Sequence, residues 1–235
     1  MKKLLIFAVA AMVALGSCNT GRSIKNDIDS ISYAHGLNLG YQIIAGADSV
    51  LNPNLIAKGI IDVFNKKAAI DRDSAITILN EYYTVKLPAK MLKIEETYLE
   101  SVKAGNPNAE VTESGLIYEV IMPGDESVKA TDSRDEVKVK YTGRFREDLK
   151  YDADKQGKEF DSSGDDTVSF ALNRVIPGWT EGMKLVGKGG KIRLWVPSAL
   201  GYGPHGNRGI GPNETLVFDV ELVDVTPVEP VVEEE

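Results

Sequence analysis

Apolar residues recur every three to four positions along the first hundred residues and every second position after about residue 110. The chain is therefore predicted to change from helix to strand near that point. Between Asp27 and Gly46, Ile28, Ile31, Ala34, Leu37, Tyr41 and Ile44 line one face of a helix that Gly46 stops. Asn52-Pro53 opens a second helix, pairing an N-cap side chain with a proline tolerated in the first turn. It presents Leu55, Ile56, Ile60, Val63 and Phe64. A third helix begins near Asp71 or Asp73 and carries Ile76, Leu79, Tyr83 and Leu87 up to Pro88, where the missing N–H and the ring predict a break or kink. Beyond it Met91, Leu92, Tyr98, Leu99 and Val102 keep the helical period until Gly105-Asn106-Pro107. Charged on its other face, this last helix is expected to act as a strut.

The second half alternates. Leu116 to Ile121 reads as a strand ended by Pro123-Gly124, and Val137, Val139, Tyr141, Gly143 and Phe145 alternate with Lys138, Lys140, Thr142 and Arg144 as a half-buried strand does. Val168 to Leu172 is a third strand. It leads into the apolar run Val175-Ile176-Pro177-Gly178-Trp179, which turns through Pro-Gly into a brief helix. Lys188-Gly189-Gly190 turns into Lys191 to Val196, and Thr215 to Val225 closes the region with Leu216, Phe218, Val220 and Leu222 on one side. With no alternating βα repeat, the expected class is α+β: an antiparallel sheet of about five strands wrapped on one short helix, preceded by a small all-α module. A pocket is expected between sheet and helix.

The two ends carry different signals. Lys2 and Lys3 precede an apolar run from Leu4 to Leu15, which reads as a secretory signal too short to span a bilayer comfortably. Its end, Leu15-Gly16-Ser17-Cys18, resembles the lipobox of bacterial lipoproteins. That resemblance implies acyl chains on Cys18, the single cysteine of the chain, so no disulfide is expected. Lys2 and Lys3 are the charged residues of this segment. The mature chain therefore holds 25 basic residues against 35 acidic, and the net charge of −8 becomes −10. Such a balance repels phosphates and excludes nucleic acid as a partner. The expected organisation is a signal peptide at 1–18, a flexible tether at 19–27, a helical module at 28–87, a connecting helix and linker at 88–110, a sheet domain at 111–225, and a disordered acidic tail of Pro-Val-Glu character at 226–235. The expected place is the bacterial cell envelope, by lipid anchor, on the outer membrane facing the periplasm.

Five stretches then appear in order: Val139-Lys140-Tyr141-Thr142-Gly143, Phe160-Asp161-Ser162-Ser163, Val175 to Trp179, Trp195 to Gly203, and Thr215 to Leu222. Together, residues from about 112 to 225 resemble the FKBP-type peptidyl-prolyl cis-trans isomerase domain. The helical module is similar to the dimerisation module of the macrophage infectivity potentiator group of these enzymes, in its helix lengths and the small residues of its first helix. The resemblance implies a proline pocket with Trp179 as its floor and Tyr141, Phe160, Phe170, Val175, Ile176 and Phe218 around its walls. It also implies Tyr202 and Ile210 at the rim, a bond from the Tyr141 hydroxyl to Asp161, and an Ile176 N–H that holds a substrate carbonyl. Tyr141, Asp161, Trp179 and Tyr202 are the residues it makes catalytic.

Rotation about an X-Pro bond makes and breaks no bond, so neither nucleophile, metal nor cofactor is expected. Asp152, Asp154, Gln156 and Gly157 fit the opening of a calcium loop, but Ser163 stands where its bidentate glutamate belongs, and no helices flank it. His35 is expected to pack in the first helix and His205 to sit in a loop, neither with a chemical role. Three departures from the family's pattern bear on the pocket. Arg146 to Gln156 is an extra charged excursion, Asp166 stands where many members have an arginine facing the pocket aspartate, and the loop from Gly203 to Pro212, which carries Ile210, is slightly short with Gly211 in place of a common proline. The partners implied are proline-containing unfolded chains and a second copy of this chain. A monomeric helical spacer is the alternative for the first module. A chaperone-like binding module, or a structural protein with a degenerate pocket, is the alternative for the whole.

Overall fold

The computed structural model describes residues 24–46 and 51–228, so the expected signal segment, Cys18 and all of the tail beyond Val228 lie outside the described residues. In chain order the elements are helices α1 (Asp27–Gly46), α2 (Pro53–Phe64), α3 (Arg72–Glu81) and α4 (Leu87–Gly105), strands β1 (Glu110–Val111), β2 (Ile117–Met122), β3 (Asp125–Lys129), β4 (Glu136–Phe145), β5 (Glu159–Ser162) and β6 (Val168–Ala171), then α5 (Pro177–Gly182), β7 (Gly187–Lys188), β8 (Lys191–Val196) and β9 (Leu216–Thr226). They form two compact units that divide between Ala69 and Ile70.

The first unit holds α1 and α2. The Asn52 side chain accepts from the N–H groups of Asn54 and Leu55, the N-cap its position before Pro53 predicts. The apolar stripes are unburied within this chain: Ile28, Tyr41, Ile44, Leu55 and Phe64 are all exposed, Phe64 by 84%. His35 is exposed on α1 as well, because that helix has no packed face here to receive it.

The second unit begins with α3, capped by Asp71 through the Ser74 N–H. The break or kink expected at Pro88 takes the form of a change of helical turn just before it. A π turn at Tyr82–Lys86 joins α3 to α4, and the Leu87 N–H reaches back five residues to the Tyr82 carbonyl. The wider turn relieves the clash between a proline ring and the carbonyl four residues before it, so helix continues through the proline.

The sheet has seven strands rather than about five, in the order β1-β2-β8-β9-β4-β5, with β6 beside β5 on the same edge of β4. The five expected strands are all present as β2, β4, β6, β8 and β9. The additions, β1, β5 and the small β3-β7 pair, are two to five residues long, too short to show a period. Every named pairing is antiparallel, and β4 pairs with β9 from Glu136↔Thr226 to Phe145↔Leu216.

One face of this sheet is buried along its length and the other is covered in part, around Ile117 and Trp195. One side packs Val137, Val139, Ile192, Leu194, Val196, Phe218, Val220 and Leu222 against Trp179 of α5 and Met183, which follows that helix. On the other, Ile117 and Trp195 meet Tyr98 and Val102 of α4, with Tyr151 and Val217 at the margin. The excursion Arg146–Gln156 belongs to this second face and not to the pocket. Tyr151 lies edge-on to Trp195 at 5.9 Å, and its N–H donates to Ser101 Oγ of α4 at 2.7 Å. Glu147 accepts from the Tyr98 hydroxyl at 2.7 Å and from the Asp152 N–H at 2.9 Å. The excursion therefore straps the connecting helix to the sheet. Tyr98 and Trp195 are essentially fully buried, and a ring of that size is worth on the order of 4–6 kcal/mol of gross transfer free energy.

Burial first, and then the bond to Glu147, push the Tyr98 phenol well above its ordinary pKa of 10.0. A folded-state value raised above the unfolded one contributes stability that is fully present below pH 10 and is lost as pH climbs past it. Tyr98→Phe is expected to cost about 1–2 kcal/mol at neutral pH. It should also flatten the alkaline fall in stability above pH 10. Urea unfolding at pH 7, 9.5 and 11 reads both, and equal alkaline sensitivity of the two proteins would refute the assignment.

Candidate active site

Trp179 is placed by the turn that precedes it. Ile176 is extended (φ −62°, ψ 148°), Pro177 starts α5, and the Ile176 carbonyl accepts from the N–H groups of Trp179 and Thr180. The Thr180 hydroxyl donates to the Leu172 carbonyl at 2.6 Å, tying the helix to the end of β6. Gly178 lets α5 approach β8 closely, since a methyl group there would lie 2.5 Å from Val196 Cγ1. The tryptophan is consequently held against the sheet, 4% exposed.

Around it the rings stand nearly perpendicular. Tyr141, Phe218 and Phe170 have centroids 5.1, 5.3 and 5.6 Å from the Trp179 ring, at interplanar angles of 90°, 86° and 84°. Phe160 meets Phe218 at 5.7 Å and 79°, which extends the wall. Such edge-to-face pairs match positive ring edges to negative faces and fix orientation as well as area. Gly143 makes room for two of these rings, because a methyl group in place of its hydrogen would lie 2.7 Å from Phe218 and 3.0 Å from Phe160. Val175, Ile176 and Ile210 are half-buried and pack on the same cluster.

Two polar groups sit at the edge. The Tyr141 hydroxyl donates to Asp161 Oδ2 at 2.7 Å, and Asp161 Oδ1 accepts from the Ser162 N–H at 3.0 Å. Asp161 holds this geometry although its side is open to solvent and Asp166 offers it no cation. Burial, then the bond and charge of Asp161, push the Tyr141 phenol upward, and Tyr202 adds a smaller push in the same sense. The phenol therefore stays a donor throughout the neutral range. Tyr202 is 38% exposed, next to the turn Gly203–His205 that places His205 on the surface.

The structure thus gathers Tyr141, Phe160, Phe170, Val175, Ile176, Trp179, Ile210 and Phe218 around one apolar cluster, with Asp161 and Tyr202 at its margin. It adds Phe145, whose ring lies 5.0 Å from Phe160. Its place at the end of the alternating strand was the available signal. It also gives the serines of the Asp161-Ser162-Ser163 motif a task. Ser163 Oγ accepts from the Tyr141 N–H, the Ser163 N–H donates to the Tyr141 carbonyl, and the Ser162 hydroxyl donates to that same carbonyl. These bonds pin the backbone of Tyr141 on an edge where β5 shifts register. Among the described residues, no group of three or more His, Cys, Asp or Glu side chains has the arrangement of a metal site.

An antiparallel sheet folded over one tryptophan-bearing helix, with an aromatic cup between, is the architecture of a prolyl isomerase domain. A family model described as FKBP-type peptidyl-prolyl cis-trans isomerase matches residues 127–223, and one described as the domain amino terminal to that isomerase matches residues 28–120. The chain belongs to the FKBP-type peptidyl-prolyl cis-trans isomerases. It is 32% identical over 238 residues to the FKBP-type peptidyl-prolyl cis-trans isomerase FkpA of Escherichia coli strain K12, covering 94% of this chain and 84% of the relative. It is 31% identical over 228 residues to the outer membrane protein MIP of Legionella longbeachae, covering 92% of this chain and 93% of that one. The crystal structure of FkpA from Escherichia coli superposes with a TM-score of 0.53 at 33% identity, covering 88% of this chain and all of the other.

Proposed function

We propose that the cup around Trp179 binds the pyrrolidine ring of an X-Pro segment and that this chain assists the folding of proteins in the cell envelope. The observation that carries the reading is the set of three perpendicular rings around a buried indole, because a flat apolar floor with fixed edges is what a proline ring fits. The amide that must rotate faces a barrier of about 18–20 kcal/mol, set by its resonance. Its twisted state is less polar than the planar one, so a dry aromatic cup favours it. The Ile176 N–H, at the turn into α5, is the proposed donor to a substrate carbonyl. It would fix one side of the bond while the cup grips the other. Asp161 holds the Tyr141 ring against Trp179, and Tyr202 and Ile210 border the chain that flanks the proline.

The mature chain should accelerate cis-to-trans conversion of a proline peptide. Trp179→Leu should lower kcat/KM by about ten- to a hundredfold, and Asp161→Asn by a few-fold. A parent rate equal to the uncatalysed one, in a folded sample, would overturn the pocket assignment. If suppression of aggregation persisted in Trp179→Leu, holding of unfolded chains would be separate from catalysis.

The first unit supports a second part of the reading. Two helices whose apolar residues are exposed need a partner, and the match to the domain amino terminal to these isomerases favours a second copy. We propose a homodimer through α1 and α2, which would carry two pockets toward one client. Light scattering of the mature chain should give about twice the mass of one chain, and a monomer at high micromolar concentration would refute it. The lipobox-like Leu15-Gly16-Ser17-Cys18 and the similarity to a protein named for the outer membrane support an anchor at Cys18. Expressed in a Gram-negative host, the parent should partition into the detergent-rich phase of a phase separation and Cys18→Ser into the aqueous phase. Identical partitioning would remove the anchor.

A further inference from the structure

The chain between β8 and β9 carries both Tyr202 and Ile210, and its two feet stand on one carboxylate. Glu95, on α4, is buried to 4% exposure. Its Oε1 accepts from the Ser198 N–H at 2.6 Å, and its Oε2 accepts from the Ser198 hydroxyl at 2.7 Å. At the other foot the Thr215 hydroxyl donates to Glu95 Oε1 at 3.3 Å. Asn213 joins the two sides: its Nδ2 donates to the Pro88 carbonyl at 2.7 Å, its Oδ1 lies 3.1 Å from Ser198 Oγ, and its N–H donates to the Gly203 carbonyl at 3.1 Å. Glu214, between these residues, is paired with Arg146 at 2.6 Å, both side chains largely covered. The loop from Ser198 to Thr215 is therefore fastened at both ends to the connecting helix and to the start of the excursion, outside the aromatic cup.

A buried carboxylate with three donors is costly to desolvate and is stabilised only by well-aimed partners, so it imposes one geometry on whatever supplies them. Those donors come from the two ends of the segment that borders the pocket. We propose that Glu95 is a positioning residue for prolyl isomerisation, through which α4 sets the placement of Tyr202 and Ile210. The proposal rests on the reading of the Trp179 cup as the proline site. It gives the connecting helix a part in catalysis without any contact between that helix and substrate. A small displacement of groups flanking a reacting bond is enough to reduce rate strongly.

A double-mutant cycle in the mature chain tests it, with Glu95→Ala, Tyr202→Ala and the pair assayed on a proline peptide. Tyr202→Ala is expected to lower kcat/KM about tenfold. Glu95→Ala is expected to do nearly the same, with the change mainly in KM because the rim meets the chain beside the proline in ground and transition states alike. The pair should be little worse than either alone, since Glu95 acts through the residue already removed. Multiplicative effects of the two changes, or a folded Glu95→Ala within twofold of the parent, would overturn the proposal. If Glu95→Ala fails to fold, Ser198→Ala replaces it in the cycle. It removes the hydroxyl donor and leaves the backbone one, with a loss of about threefold expected and the same criterion of non-additivity. Trp179→Leu is assayed alongside. If it loses activity while the cycle is multiplicative, only the role of Glu95 falls. If Trp179→Leu and Tyr202→Ala are both silent, the pocket reading falls and takes the proposal with it.

Discussion

Successive residues of β8 point to opposite sides of the sheet, and in this protein both sides are roofed at the end of that strand, where Trp195 lies. Leu194 and Val196 go to the face that carries α5, and Trp195 between them goes to the face that carries α4. An antiparallel sheet commonly leaves one face to water; covering both commits it to two cores at once. One core supplies the aromatic cup. The other fastens a helix from outside the domain to its back, so the position of the pocket and the position of that helix are set by the same strands.

This arrangement explains the division of labour among residues that stand side by side in sequence. Phe218 walls the cup while Val217 borders Trp195, and their strand partners Gly143 and Arg144 divide in the same way. Arg144 and Arg193 both pair with Asp219 on the outer side, which keeps charge off the cup. The excursion after Phe145 is acidic and basic in composition, yet its contributions to packing are Tyr151 and the carboxylate of Glu147. Length inserted at that point thus serves attachment.

Much of this was legible in the sequence because it depends on period. The alternation along β4, β8 and β9 assigned Tyr141, Phe218 and Val220 to one face, and Pro177-Gly178 before Trp179 marked the short helix. What stayed hidden depends on pairing across long separations. Glu95 meets Ser198 and Thr215 more than a hundred residues away, and one glutamate among several on a charged helix carries no local sign of burial. The excursion was read by its charges, whereas its place is decided by Tyr151. At Pro88 the expected break or kink is a single wide turn, because a proline forbids one hydrogen bond and one contact and the π turn before it avoids both. The strands that went unread, β1, β3, β5 and β7, form by pairing with their neighbours, not by any pattern of their own.

Gly143 also deserves to be seen from the side of the cup. It contributes no atom to the wall, but the carbon it lacks is the space into which Phe160 and Phe218 lean. Depth is thereby encoded at a position behind the rings. Any other residue at this one strand position would have to push Phe218 and Phe160 aside, so the shape of the cup is tied to a side chain that is absent.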